Sequence, residues 1–362
     1  MLPKILSLHY ISQKNVDFFS KDESVEKLEE YRPNYVSTPR ELKAIYMTSW
    51  IASRRDLRLE LVKLIDKTEL NSIVIDIKDH SGKIIFEIES GELKKYGSEE
   101  VRVSDLEEFV EELHLKNIYV IGRVAVFQDE YFVKFRPDLA IKNRSGENIW
   151  KDRKGISWID PASKEYWDYI ILISKEARKI GFDEINFDYI RFPSDGNMVD
   201  ISYPLSSTTP KSEVMESFFR YLKENLSGTG LKTSADLFGM TTTSYDDMGI
   251  GQVLEKALPY FDYVSPMVYP SHYPPGFQGY KDPEAHPYEM ISFTLKSALD
   301  RTIKASSTPE KIRPWLQDFG LRVFYSSKDV RAQIKAVNDL GLSSWMLWSP
   351  SNKYSKDSFN NI

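Results

Sequence analysis

The amino-acid sequence predicts an α/β protein, a (β/α)8 TIM barrel with long loops after strands 3, 4 and 6. Strand-like and helix-like segments alternate from residue 44 onward, which is typical of a parallel α/β fold. Eight strand segments can be counted, and that number favours a closed barrel. The rival is a doubly wound open sheet, which usually has a glycine-rich phosphate turn after its first strand. Here Trp50-Ile-Ala-Ser-Arg-Arg follows the first strand instead.

The predicted strands are short apolar or alternating runs separated by amphipathic stretches. In chain order they are 44–50, 72–78, 118–126, 184–190, 231–237, 262–268, 312–318 and 344–348. Helices are predicted between them at 54–68, 103–116, 163–180, 211–226, 250–258, 287–306 and 327–340. Two helices have clear boundary signals: Asp160-Pro161 before and Gly181 after 163–180, and Ser327 before and Gly341 after 327–340.

Strand 4 carries the most informative pattern in the chain. Glu184, Asn186 and Asp188 alternate with Ile185, Phe187 and Tyr189, so polar groups occupy one face and large apolar groups the other. A barrel wall with a polar interior has this pattern. Pro193 and Gly196 then end the strand, which places Asp188 at its C-terminal end, where TIM barrels hold their catalytic groups.

Three loops of this predicted barrel are long, and long loops on one rim are usually functional. They comprise 127–160 after strand 3, 191–210 after strand 4 and the aromatic segment 269–286 after strand 6. Residues 1–41 are predicted to form a polar N-terminal extension with a short charged helix near 22–30, and the barrel is assigned to 42–362.

The composition excludes several classes of protein. The net charge of −6 and the interleaved basic residues argue against a nucleic-acid partner. The chain has no cysteine, which excludes disulfides, thiolate metal sites and cysteine nucleophiles. No stretch is long and apolar enough for a membrane span, and residues 1–10 have no continuous apolar core of a signal peptide. A cytoplasmic location is the default, and an envelope or secreted location is the alternative if the N-terminus was trimmed.

Asp188 and Asp236 are the candidate catalytic residues. Asp236 ends strand 5, and neighbouring barrel strands lie about 4.8 Å apart. Two carboxyl groups at matching heights suit glycoside hydrolysis, in which a spacing of about 5–5.5 Å gives retention and about 6.5–9.5 Å gives inversion. Their mutual repulsion would keep one group protonated as an acid, and Arg191 could hold Asp188 ionised.

Other polar and aromatic residues near strand ends are candidates for binding a carbohydrate. Asp76 and Lys78 share a face of strand 2, where they could bind sugar hydroxyls or neutralise each other. Arg123 on strand 3 could bind substrate or form a buried ion pair. Further candidates are Tyr269, Gln317, Asp318 and Trp348. Trp50, Trp150, Trp158, Trp315 and Trp345 also fall near strand ends or loops, where rings can stack on sugars, although packing is the simpler interpretation.

No metal site or cofactor is expected. The five histidines show neither His-x3-His nor His-Glu-x-x-His spacing, and Gly-x-Ser-x-Gly is absent.

Five motifs in order resemble a bacterial glycosyl hydrolase domain family of TIM-barrel type. They are the strand 4 motif, Ser-Ala-Asp-Leu-Phe-Gly (234–239), Ser-Pro-Met-Val-Tyr-Pro-Ser-His-Tyr (265–273), Arg-Pro-Trp-Leu-Gln-Asp-Phe (313–319) and Trp-Met-Leu-Trp-Ser-Pro-Ser-Asn (345–352). The resemblance covers residues 42–355 and implies a glycosidase-like activity on an unspecified sugar.

The same motifs depart from those of chitinase-type barrels, which carry Asp-x-x-Asp-x-Asp-x-Glu on strand 4 and Met-x-Tyr-Asp on strand 6. Ile190 stands at the position of the acid glutamate, and Pro270 replaces the strand 6 aspartate. The chain is more similar to the α-amylase and α-galactosidase group, in which a strand 4 aspartate attacks the sugar. By analogy that role falls to Asp188.

The sequence therefore predicts a hydrolase of O-glycosidic bonds in an oligo- or polysaccharide. A catalytically silent, carbohydrate-binding barrel is the alternative. A third possibility is a barrel with another substrate, such as a metal-dependent deacetylase or an aldolase-like enzyme, for which Lys78 is the one lysine placed at a strand end.

Overall fold

The computed structural model describes residues 33–360, and the short charged helix expected near 22–30 lies outside them. Eight parallel strands close into the predicted barrel in sequential order, because the first strand pairs with both the second and the last. We number them β1 Lys43–Met47, β2 Ser72–Lys78, β3 Tyr119–Ala125, β4 Glu184–Asp188, β5 Lys232–Phe238, β6 Tyr263–Met267, β7 Trp315–Gln317 and β8 Trp345–Trp348.

The helices between the strands pack their apolar faces on the outside of the barrel. Among the described residues they are α1 Ser49–Ala52, α2 Arg55–Ile65, α3 Gly91–Lys94, α4 Leu106–Leu115, α5 Glu130–Phe135, α6 Lys164–Ile180, α7 Lys211–Leu226, α8 Leu254–Ala257, α9 Pro287–Lys304 and α10 Ser327–Asp339. Ile185 and Phe187, on the apolar face of β4, are buried in the layer between barrel and helices.

Several observed element boundaries differ from the predicted ones because the helices are capped by residues other than those predicted. β1 stops at Met47 because Thr48 caps α1, its hydroxyl accepting a hydrogen bond from Ile51 N at 3.2 Å. Asp160-Pro161 does not cap α6; Ser163 does, by accepting from Tyr166 N at 3.3 Å. The cap of α10 is Ser326 rather than Ser327.

The interior of the lower half of the barrel is filled and electrically neutral. Glu184 forms an ion pair with Arg313 and accepts hydrogen bonds from Ser234 Oγ at 2.5 Å and Tyr119 Oη at 3.1 Å. All four side chains are buried. The open space for a ligand therefore lies in the upper half, at the C-terminal ends of the strands.

The described part of the predicted extension, residues 33–41, packs against the N-terminal end of the barrel. Val36 N donates to Asp183 Oδ1 at 2.9 Å, and Thr38 Oγ1 donates to Tyr119 Oη at 3.2 Å. The Val36 side chain packs against the apolar cluster that fills the barrel interior.

The loops at the C-terminal ends form two connected groups. The loops after β3 and β4 pair through a small antiparallel sheet, Lys142–Asn143 with Ile201–Ser202. The loops after β6 and β7 are joined by Glu284, which accepts from Leu321 N at 2.6 Å and from Arg322 N at 2.8 Å. These two groups flank the mouth of the barrel.

Candidate active site

Asp188 and Asp236 lie side by side at the mouth of the barrel. The ladder between β4 and β5 pairs Asn186 with Ser234 and Phe187 with Ala235, so the next step of the same register places Asp188 level with Asp236. Strands in this register are about 4.8 Å apart. Only 6% of Asp188 and 1% of Asp236 is exposed. Both carboxyl groups are therefore largely shielded from solvent by the protein.

Arg123 neutralises Asp188. Its guanidinium donates to Asp188 Oδ2 from Nε at 3.1 Å and from Nη2 at 2.5 Å. The third contact of the same guanidinium, from Nη1, reaches Asp76 Oδ1 at 2.6 Å. The other oxygen of Asp188 accepts from Tyr189 N at 2.6 Å. The sequence predicts Arg191 as the partner of Asp188, but in the structure Arg123 forms this ion pair.

Asp236 is held by two neutral donors. Its Oδ1 accepts from Asn186 Nδ2 at 2.7 Å and from Trp315 Nε1 at 2.8 Å. Burial and the negative charge of Asp188 raise the pKa of Asp236 well above the ordinary value of an aspartate. Two neighbouring carboxyl groups thus have opposite environments, one beside a cation and one among neutral groups.

A left-handed residue follows Asp188 directly. Tyr189 has a φ of 53°, which ends β4 two residues before the predicted boundary. The turn also changes where this ring points: Tyr189 was expected on the outer apolar face, and it lines the cavity at the mouth. Such a conformation costs about 1–3 kcal/mol in a non-glycine residue and is concentrated at functional sites.

The cavity at the mouth has a volume of about 650 Å³, within the range of small-molecule sites. Both aspartates open onto it, together with basic, aromatic and other apolar side chains. The remaining lining residues are Arg123, Lys154, Tyr189, Arg191, Phe238, Gly239, Met240, Met267, Tyr269, His272, Tyr273, Phe319, Leu321, Trp348 and Pro350. Of the predicted binding residues, Arg123, Arg191, Tyr269 and Trp348 are thus brought together.

Asp76 does not line the cavity but lies behind the residues that do. It accepts hydrogen bonds from Arg123 and from the Tyr46 hydroxyl. The Tyr46 ring stacks on Trp348, with 3.8 Å between ring centroids. Asp76 therefore fixes both the guanidinium and an aromatic stack that faces the cavity.

Lys78 does not reach the cavity, and the expectation that it shares a face with Asp76 is wrong. A register shift between these two residues interrupts the alternation of β2. Lys78 is 0% exposed, and its ammonium group contacts Asp129 Oδ2 at 2.8 Å and Ala125 O at 2.6 Å. The side chain belongs to a buried ion pair outside the barrel.

Gln317 and Asp318 also lie off the cavity. The Gln317 side chain accepts from Ser271 N at 3.0 Å and donates to Phe319 O at 2.6 Å, so it joins the loops after β6 and β7. Asp318 Oδ2 is buried with no hydrogen-bond partner among the described residues, and burial raises the pKa of Asp318 to about 6.

Trp315, Phe238 and Lys154 are among the contributors to the site that the sequence does not predict. Trp315 was grouped with rings that could stack on sugars, yet it is buried and donates to Asp236. Its alternation with Arg313 and Gln317 along β7 was the available signal for an inward position. Phe238 and Lys154 also line the cavity; Phe238 follows Asp236 by two residues on β5, whereas no pattern marks Lys154.

Residues 33–360 contain no group of three or more acidic or histidine side chains placed to hold a metal ion. No helix within that range is long and apolar enough to cross a bilayer.

A closed parallel barrel with two carboxyl groups at the ends of adjacent strands is the arrangement of a glycosidase-like TIM barrel. The chain belongs to the family described as "Putative glycosyl hydrolase domain", whose model matches residues 44–354.

Solved structures share this fold. The glycoside hydrolase domain of PgaB (BpsB) from Bordetella bronchiseptica has 12% identity and a TM-score of 0.64, over 89% of this chain and 99% of that one. An α-galactosidase from Thermus thermophilus has 13% identity and a TM-score of 0.54, over 90% and 64%. At this identity the likeness concerns the fold.

A hypothetical protein from Ruminiclostridium thermocellum is 34% identical over 52% of this chain and 96% of its own, with a TM-score of 0.48. No curated protein matches the sequence.

Proposed function

We propose that this protein hydrolyses O-glycosidic bonds of an oligo- or polysaccharide, with Asp236 as the general acid and base and Asp188 as the nucleophile. The observation that carries the proposal is the pair of unequal carboxyl groups. Asp188 is fixed beside the Arg123 guanidinium, whereas Asp236 has only neutral donors. Pairs with such opposed environments divide acid and base roles between two like residues.

The first step protonates the leaving group. Asp236 gives its proton to the glycosidic oxygen as the bond from that oxygen to the anomeric carbon breaks. Its raised pKa supports this role, because an acid must still hold its proton at the working pH. Activity is expected to fall as the pH rises through the pKa of Asp236.

The second group meets the positive charge that develops on the sugar ring. A carboxylate oxygen of Asp188 bonds to the anomeric carbon and forms a glycosyl ester. Asp236, now ionised, then takes a proton from water as that water attacks the same carbon and releases Asp188. The Arg123 ion pair orients the Asp188 carboxylate for attack and holds it again once water has released the sugar.

The cavity walls suit a sugar. Trp348, Phe238 and Phe319 give flat apolar surfaces, and Tyr269 lines the same cavity near the two aspartates. Sugar rings have apolar faces that pack on aromatic rings, while their hydroxyls need polar partners.

Asp188→Asn and Asp236→Asn test the proposal. Bacterial envelope and plant polysaccharides would be screened with the wild-type protein for new reducing ends, and the variants assayed on each active substrate. Asp188→Asn should abolish turnover, a loss of about 10⁴-fold or more, while its circular dichroism spectrum shows that the fold is kept.

Asp246→Asn is the matched control, because Asp246 is an exposed aspartate in the loop after β5 and does not line the cavity. It should keep full activity. Unchanged hydrolysis by Asp188→Asn would contradict the mechanism. Stoichiometric glycan binding without new reducing ends over days would instead favour a carbohydrate-binding barrel.

A further inference from the structure

Arg191 occupies an unusual position in the cavity wall. It is 8% exposed, and its guanidinium carbon lies 4.5 Å from the ring centroid of Phe238, 4.9 Å from that of Trp158 and 5.5 Å from that of Tyr189. Its single hydrogen bond runs from Nη1 to Phe192 O at 2.9 Å. A buried guanidinium is ordinarily paired with a carboxylate, and this one has no such partner among the described residues.

None of the acidic groups around Arg191 forms an ion pair with it. Asp188 is bound by Arg123, and Asp195 is exposed on the loop. Asp152 accepts from Gln128 Nε2 at 2.9 Å, from Trp158 Nε1 at 3.0 Å and from two backbone amides. None of them lies within 4.0 Å of the guanidinium. Arg191 therefore forms no ion pair, and the three aspartates act on its charge only at longer range.

The free donors of Arg191 face open space. Nε and Nη2 make no hydrogen bond, and neither belongs to the fully buried, unpartnered atoms. Arg191 lines the cavity that holds both catalytic candidates, so a ligand bound there comes close to these unbonded donors. An adjacent pair of guanidinium N–H groups matches the two oxygens of a carboxylate or sulfate.

A second cation lines the same cavity. Lys154 is exposed on the loop after β3, and its ammonium group forms no ion pair with a described residue. Asp152 positions this loop by accepting from the backbone N of Lys154 at 2.9 Å and of Ile156 at 3.0 Å. Two unpaired cations from different loops thus belong to one pocket.

We infer that Arg191 and Lys154 form an anion subsite, so that the glycan taken by this barrel carries an acidic substituent, a carboxylate or a sulfate, on a sugar bound beside Asp188. The inference rests on the proposed function, because it assigns the substrate class of that site. The aromatic rings hold the guanidinium in place by cation–π contacts while its outer edge stays free for the anion.

Calorimetric titration of the full chain with matched oligosaccharide pairs tests the inference. Oligosaccharides of pectate and alginate are compared with their carboxyl-reduced forms, and those of carrageenan with their desulfated form. At least one acidic form should bind about tenfold or more tightly than its neutral counterpart. The arm that shows the difference identifies carboxylate or sulfate.

Variants then assign the binding to this pocket. Arg191→Gln should weaken binding of the acidic form about tenfold or more, while Arg191→Lys should keep part of the affinity. Lys154→Gln should weaken it a few-fold, and because this side chain is exposed the variant does not depend on core packing. Arg153→Gln, an exposed arginine on the same loop that does not line the cavity, is the control and should bind as the wild type does.

The inference is overturned if neutral and acidic forms bind equally, if no acidic form binds, or if Arg191→Gln and Lys154→Gln both bind normally. These failures differ from failure of the proposed function. A neutral glycan that is cleaved by the wild type and not by Asp188→Asn would keep the glycosidase and remove the anion subsite. Binding of the acidic form without hydrolysis would keep the anion subsite and remove the glycosidase.

Discussion

At the scale of single residues, the site depends on how two identical side chains are made different. Asp188 and Asp236 occupy equivalent positions on neighbouring strands, so their chemistry cannot come from sequence position alone. It comes from what each carboxyl group touches, a guanidinium for Asp188 and the neutral donors of Asn186 and Trp315 for Asp236. The protein thereby pairs one carboxyl group with a cation and raises the pKa of the other by burial and by the charge of its neighbour.

The first prediction concerns the electrostatic influence of one aspartate on the other. Burial is the largest cause of the raised pKa of Asp236, and the charge of Asp188 is the next. Asp188→Asn removes that charge, so the pKa of Asp236 should fall but stay above the usual value, because the burial remains. Carbon-13 NMR titration of the aspartate carboxyl groups measures this in the absence of substrate. Asp246→Asn should leave the titration of Asp236 unchanged, and an unaltered pKa in Asp188→Asn would show that the pair is not coupled.

At the scale of elements, β4 could be predicted almost completely because its alternation is uninterrupted from Glu184 to Asp188. β2 shows the limit of that reasoning. A register shift after Asp76 gives no signal in the residue types, yet it moves Lys78 from the interior to the outside of the barrel. The order of eight strands and the two catalytic candidates follow from local pattern. The ion-pair partners depend on the register of the strands, and no local sequence pattern indicates that register.

The second prediction tests the structural role of Lys78. Lys78 forms a buried ion pair with Asp129, and the Tyr166 hydroxyl also donates to Asp129 Oδ2, at 2.8 Å. Lys78→Met leaves Asp129 as an uncompensated buried charge and should cost about 3–5 kcal/mol of unfolding free energy. The double variant Lys78→Met with Asp129→Asn should recover part of this, as measured by chemical denaturation.

Lys134→Met provides the control for this series, because Lys134 is exposed on α5 and forms no ion pair with a described residue. It should change the unfolding free energy by less than about 0.5 kcal/mol. Normal stability of Lys78→Met, combined with a loss of glycan binding, would return Lys78 to the list of binding residues.

At the scale of the whole molecule, the barrel supplies a rigid base and the loops supply the walls of the cavity. Among the described residues, the lower interior is filled around the Glu184–Arg313 ion pair, so the cavity opens at the upper rim. There, the loops after β3 and β4 bring Lys154 and Arg191, while those after β6 and β7 bring Tyr269 and Phe319. Each group of loops has its own internal connection, and each can therefore be loosened separately.

The last prediction concerns the connection between the loops after β6 and β7. Glu284 is 0% exposed and accepts from Leu321 N, Arg322 N and Gln317 Nε2, the last at 3.3 Å. Glu284→Gln replaces an acceptor oxygen by an NH2 group that faces these donors, and it removes the charge beside Arg322. Amide hydrogen exchange at 270–286 and 319–326 should become about tenfold faster or more. Exchange in β2 to β5 should stay unchanged, because those strands make no contact with Glu284.

Glu310→Gln, at an exposed glutamate with no ion-pair partner in the described chain, is the control and should leave exchange in both regions unchanged. Faster exchange throughout the barrel in Glu284→Gln would instead mean that the loops and the strands unfold as one cooperative unit.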